Sequence, residues 1–197
     1  MIYKIAHLYS LIFAHPWLYK WHKLLLHLAL RGLGVLNSAD ARTNGEEKFL
    51  KRYLGSKPNA VVFDVGANVG NYSREILNVI PKAKLFAFEP HPKNFEKLKT
   101  IKTQTNSSNF EPFHCACGEQ NGSLELHDYA DRDGSSHASL YKDVIEEIHK
   151  KKSVSISVNL IKLDDFVKEH EIKHIDLLKI DTEGHELAVL KGLVRFI

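Results

Sequence analysis

The sequence predicts a doubly wound α/β domain with a mostly parallel sheet. Three observations carry that prediction. Short, nearly continuous apolar runs at 60–65, 84–88 and 175–180 have the length of strands buried on both faces. Segments with helical periodicity, at 71–80, 90–100, 163–170 and 185–192, alternate with such runs. A glycine loop, Gly66 to Gly70, joins the first of these strands to the first of these helices.

The first 36 residues precede that pattern and are apolar and basic. No Lys, Arg, Asp or Glu occurs from Ile5 to Tyr19, but His7, His15 and Pro16 interrupt the run. It is also shorter than the roughly 18 apolar residues of a spanning helix. Pro16 to Lys20 does not form a small-residue cleavage site, so a secretory leader is not expected. A second helical run, 21–33, sets Lys23, His27 and Arg31 among leucines and closes at Gly32 and Gly34. Two amphipathic helices broken at His15-Pro16 are expected, either packed on the domain as a lid or held as a peripheral membrane contact through residues 1–36. The division expected is 1–40 for this extension and 41–197 for the α/β domain.

The later elements follow in order. A short helix covers 45–54. After the second long helix, 101–109 reads as polar loop and 110–116 as a third strand. Asn121-Gly122 signals a hairpin into a strand at 123–127. Residues 128–139 are polar, and 140–152 read as helical or irregular. Val154, Ile156 and Val158 alternate with serines, as in a half-buried strand.

A chain of 197 residues suffices for one domain with a real core, and 44% hydrophobic with 26% charged residues suits a globular protein. A formal charge of +3 is too weak to imply nucleic acid. Cys115 and Cys117 are badly spaced for a disulfide and too few for a zinc site, so they read as thiols of a reducing, cytoplasmic compartment. The twelve His are scattered, and no metal site is expected.

The chemistry lies in three strand ends. The first is Asp64-Val65-Gly66-Ala67-Asn68-Val69-Gly70, where glycines permit a tight turn and let a ligand approach the backbone. The second is Glu89, 19 residues after Gly70 at the end of the next strand, where an acid accepts hydrogen bonds from ribose hydroxyls. The spacing differs from the Gly-x-Gly-x-x-Gly of nicotinamide binding, in which the helix start faces a pyrophosphate. An acid at the loop mouth would repel a pyrophosphate but suits the positive amine of S-adenosylmethionine (SAM). Asp64, Gly66, Asn68, Gly70 and Glu89 are therefore the expected cofactor residues. The third strand end, Lys179-Ile180-Asp181-Thr182-Glu183-Gly184-His185-Glu186, brings Asp181, Glu183 and His185 near the cofactor if its strand neighbours the first. They are the candidate base and acceptor-positioning groups, with His137 a weaker candidate. Thr182-Glu183 has a plainer reading as a helix cap, and Lys179 in an apolar strand calls for an acidic partner.

These motifs, with Asn44-Gly45-Glu46 and Ile161-Lys162-Leu163-Asp164-Asp165, resemble the FkbM family of methyltransferases over about 44–192. The resemblance implies a Rossmann-like class I enzyme that uses SAM to methylate a hydroxyl of a sugar, polyketide or other small metabolite. It also implies a sheet of seven strands, of which about four core strands precede Gly192; the sheet is expected to be truncated at the C-terminus. The alternative expectation is a non-catalytic SAM-binding or scaffold protein. The acceptor and oligomeric state are not readable from the sequence.

Overall fold

The computed structural model describes residues 2–33, 45–105, 107–129 and 153–196. The expected loop and helix at 128–152 lie almost wholly outside them, as does His137. The chain divides into two compact units, Met1–Lys48 and Phe49–Ile197.

In the first unit, helices α1 (Ile2–Phe13) and α2 (Tyr19–Gly32) are joined through a 3₁₀ turn, Pro16–Leu18. Pro16 opens that turn, where its missing N–H would have had no partner. The Tyr9 hydroxyl lies 2.9 Å from His22 Nε2, and the Tyr9 and Phe13 ring centroids are 4.9 Å apart. Among the described residues no helix is long and apolar enough to cross a membrane.

Helix α3 (Glu46–Leu54) runs across the division and contributes Leu50 and Leu54 to the core of the second unit. Then follow β1 (Val61–Val65), α4 (Asn71–Val79), β2 (Lys84–Phe88), α5 (Pro92–Thr105) and β3 (Phe110–Phe113). β4 (Ala116–Gly118), β5 (Gly122–Tyr129), β6 (Ser153–Lys162), α6 (Leu163–Glu169), β7 (Leu177–Ile180) and α7 (Glu186–Lys191) complete it.

The main sheet has the order β3-β2-β1-β7, and every pair in it is parallel. β1 is buried on both sides. Val62 points into one cluster with Leu54, Ile76, Leu85 and Leu98, while Phe63 and Val65 join Phe86, Phe88, Phe166 and Val189 in the other. Helices α3, α4 and α5 thus cover one face, and α6 and α7 the other. This is the doubly wound arrangement that continuous apolar strands require. From β1 the chain steps outward through β2 and β3, then returns to the opposite side of β1 with β7. The switch point of the sheet therefore falls between β1 and β7, at their carboxyl ends.

Three expectations change. Helix α5 continues to Thr105, because Ile101 is buried and the polar residues around it form the exposed face. The strand expected at 110–116 divides, with β3 ending at Phe113 and β4 starting a second sheet of order β4-β6-β5. The hairpin expected at Asn121-Gly122 does not pair its flanking strands, since β6 lies between them, parallel to β4 and antiparallel to β5. Asn121 is used differently: its Oδ1 accepts from the Lys162 N–H at 2.7 Å, and its Nδ2 donates to Asp165 at 2.8 Å.

Candidate functional site

The carboxyl ends of β1, β2 and β7 are brought level by their register, Val65 opposite Phe88 on one side and Ile180 on the other. Beyond them lies a cavity of about 270 Å³, lined by Gly66, Asn68, Glu89, His91, Asn94, Asp181, Glu183 and His185, with apolar walls from Phe88, Cys117 and Leu126. Cys115 and Cys117 are both free and buried, and burial pushes the Cys117 thiol up.

Glu89 is the best-defined group. Its Oε2 accepts from the Asn68 N–H at 2.7 Å and its Oε1 from the His91 N–H at 2.8 Å, which fixes the carboxylate between the two loops. It is only 5% exposed, and burial raises its pKa to about 7 against the pull of those two donors. Asn68 holds a left-handed backbone with φ 52°, and its buried side-chain Oδ1 has no partner among the described residues. Gly66 also has positive φ, 75°, and a side chain there would run into the main-chain oxygen of Asp181. Its carbonyl accepts from Lys179 Nζ at 2.9 Å.

Asp64 and Gly70 do not line this cavity. Asp64 is fully buried beneath the loop, with Oδ2 accepting from Ser73 Oγ at 2.6 Å and Oδ1 3.1 Å from Lys179 Nζ. Its position is therefore that of a partner to Lys179 on the adjacent strand and not of a group facing a ligand's amine. Gly70 caps α4 with φ 81°, and the space a side chain would need is taken by Leu98 and Ile101 of α5. Lys179 finds the acidic partner its position demands in Asp64, with Asp181 further off at 3.7 Å.

In the β7 turn, Asp181 is exposed and Glu183 adopts a left-handed backbone, φ 53°. The capping group is Glu186 and not Glu183. Glu186 Oε1 accepts from the Thr182 and Gly184 N–H groups, each at 3.0 Å, and these bonds hold its carboxyl below the usual range. His185 is half-buried, which lowers its pKa, and its Nε2 has no partner among the described residues. Asp181, Glu183 and His185 thus reach one cavity with Glu89 and Asn68, because β7 pairs with β1.

Sequence reasoning missed His91, Asn94 and Asp128. His91 Nε2 lies 3.1 Å from Asp128 Oδ2, both side chains being almost fully buried, so β5 of the second sheet grips the residue that binds Glu89. No local signal joins residues 37 apart. His91 itself follows the Glu89-Pro90 step and could have been noted there.

An open parallel α/β sheet, with a glycine loop after β1 and an acid at the end of β2 lining the same cavity, defines a Rossmann-like domain. Residues 64–197 match the methyltransferase FkbM domain family, and the chain belongs to that family. It is 29% identical over 150 residues to Methyltransferase 1 of Beauveria bassiana, covering 68% of this chain and 59% of that protein. With the 2-O-methyltransferase NoeI of Sinorhizobium fredii it shares 30% over 146 residues, covering 71% and 59% of the two chains. The hexuronic acid methyltransferase AglP of Haloferax volcanii is 26% identical over 150 residues, covering 76% and 56%. The chain thus spans less than two thirds of the length of each of these relatives.

Proposed function

We propose that the chain binds SAM at the carboxyl ends of β1, β2 and β7 and serves transfer of its methyl group to a hydroxyl of a sugar, polyketide or other small metabolite. The observation that carries this reading is the buried Glu89 carboxylate facing the same cavity as Asn68 and the Asp181–His185 turn. Family membership and relatives named as a 2-O-methyltransferase and a hexuronic acid methyltransferase support it.

The residues fit the cofactor. Glu89 is the acceptor for a ribose diol, each carboxylate oxygen having lone-pair capacity beyond its one backbone donor. The orphaned Asn68 Oδ1 suits a positive amine. Asn94, whose buried Oδ1 has no partner among the described residues, stands with Leu126 and Cys117 where a flat base would need an apolar wall and one polar contact. Gly66, Asn68, Glu89 and Asn94 are the binding set; Asp64 and Gly70 hold the loop that presents them.

Bound there, SAM would supply an electrophilic methyl carbon on its sulfonium, with the thioether S-adenosylhomocysteine as the leaving group once the acceptor oxygen has bonded to that carbon. The protein supplies alignment, which removes several kcal/mol of the barrier, and a place for the hydroxyl proton. Burial keeps the His185 imidazole neutral and able to take that proton at neutral pH. Asp181 and Glu183, on the same turn, orient the acceptor hydroxyl. Residues 41–197 carry this site, and residues 1–40 are accessory.

The test is a methyl-transfer assay with SAM and a panel of hydroxylated acceptors, including uronic acids and other sugars, read as S-adenosylhomocysteine formed. Turnover lost in His185→Ala, with cofactor affinity retained, supports the assignment. Cofactor binding without turnover on any acceptor favours the non-catalytic alternative.

A further inference from the structure

The first unit has a chemistry the proposed reaction does not use. The family match begins at residue 64, so α1 and α2 lie outside it. On a helical wheel Lys20, Lys23, His27 and Arg31 of α2 form one narrow stripe bordered by Leu24 and Leu30, and Trp21, Leu25, Leu28 and Ala29 lie across from it with His22 at their edge. Helix α1 gathers Ile5, Leu8, Tyr9 and Ile12 on one side, while Lys4, His7 and Ser10 share the other with Tyr3 and Leu11. Neither face is spent inside the unit, where Ile5, Trp21, Leu25 and Leu28 are each more than half exposed.

The charge is equally one-sided. Lys4, Lys20, Lys23 and Arg31 precede the first acidic residue, Asp40. Residues 49–197 hold 21 basic and 21 acidic side chains and are neutral overall, so they offer no acidic surplus to match the helices. An apolar face with tryptophan and leucine beside a stripe of Lys and Arg is the pattern of a helix lying in a membrane interface. Neither helix is long enough to cross.

We infer that α1 and α2 dock the protein on an anionic bilayer surface, with Trp17, Trp21 and the leucines at headgroup depth and the Lys–Arg stripe on acidic lipid. A neutral bilayer would leave the basic stripe without a counter-charge.

The chain provides its own probe, since its two tryptophans, Trp17 and Trp21, both sit in this segment. The full chain is mixed with vesicles of phosphatidylcholine alone or with one third phosphatidylserine, and sedimentation and tryptophan emission are read. The expected result is binding to the anionic vesicles with a blue-shifted emission, weakened at least about tenfold by K20E/K23E, consistent with roughly a kcal/mol per basic residue at such a surface. Binding should also fall as salt rises. The control K97E/K102E, on exposed lysines of α5, should change little. Absence of binding, equal binding to both vesicle types, or an emission already blue and shielded without vesicles would overturn the inference. The last outcome would mean that protein, not lipid, covers the segment.

Discussion

Glu89 sits where two tendencies oppose each other, burial raising its pKa to about 7 and two backbone donors drawing it down. The folded state therefore binds the Glu89 proton in a range where the unfolded chain has released it. Its contribution to stability is fully present below its ordinary pKa of 4.5 and is lost as the pH rises through about 7. The loss is roughly 3 kcal/mol at most, from 1.36 kcal/mol per pH unit. Urea denaturation between about pH 5 and pH 8 should show stability falling with pH, with a shallower fall in Glu89→Gln; equal slopes would place the titration elsewhere. At this scale the sequence revealed Glu89, because a strand end and a fixed distance from the glycine loop are local facts. It did not reveal the place of Asp64, whose partner Lys179 faces it only because β7 returns beside β1. Nor did it reveal Asp128, which reaches His91 from a different sheet.

The link between β1 and β7 is the element-scale counterpart. Lys179 Nζ joins Asp64, the Gly66 carbonyl and Asp181, so one side chain ties both loops of the site together. Lys179→Met should cost about 3–5 kcal/mol, because it leaves the buried Asp64 without its counter-charge. Combining it with Asp64→Asn should restore a large part of that loss. Urea melts of the three variants decide the matter, and a Lys179→Met chain as stable as the parent would show that the pair is not what holds the loops. Elements with one nearly continuous apolar run, β1 and β2, were legible nearly to the residue. The region 110–129 was not, because Phe113 to Ala116 reads as continuous strand while the chain changes sheets within it. The insertion of β6 between β4 and β5 is a long-range pairing that no turn signal encodes.

For the whole molecule, the two proposals fall on different units, the cofactor site on the second and surface docking on the first. Among the described residues, every group facing the cavity lies between Val65 and His185. Deleting residues 1–36 should leave SAM affinity within about threefold, near the roughly 0.5 kcal/mol scatter of changes remote from a site. Loss of binding with the α/β circular dichroism intact would bring the segment into the site. The α/β class was legible because strand and helix periodicities alternate, whereas the proposed use of the N-terminal helices rests on a surface outside the chain. The central claim is cofactor binding at the β1–β2–β7 edge, and calorimetric titration of SAM into the parent chain and Glu89→Ala tests it most directly. The account predicts one site in the parent, weakened in a folded Glu89→Ala by about 1.5–3 kcal/mol, the range for a hydrogen bond to a charged group. No SAM binding by the parent, or equal affinity in the folded variant, would contradict it.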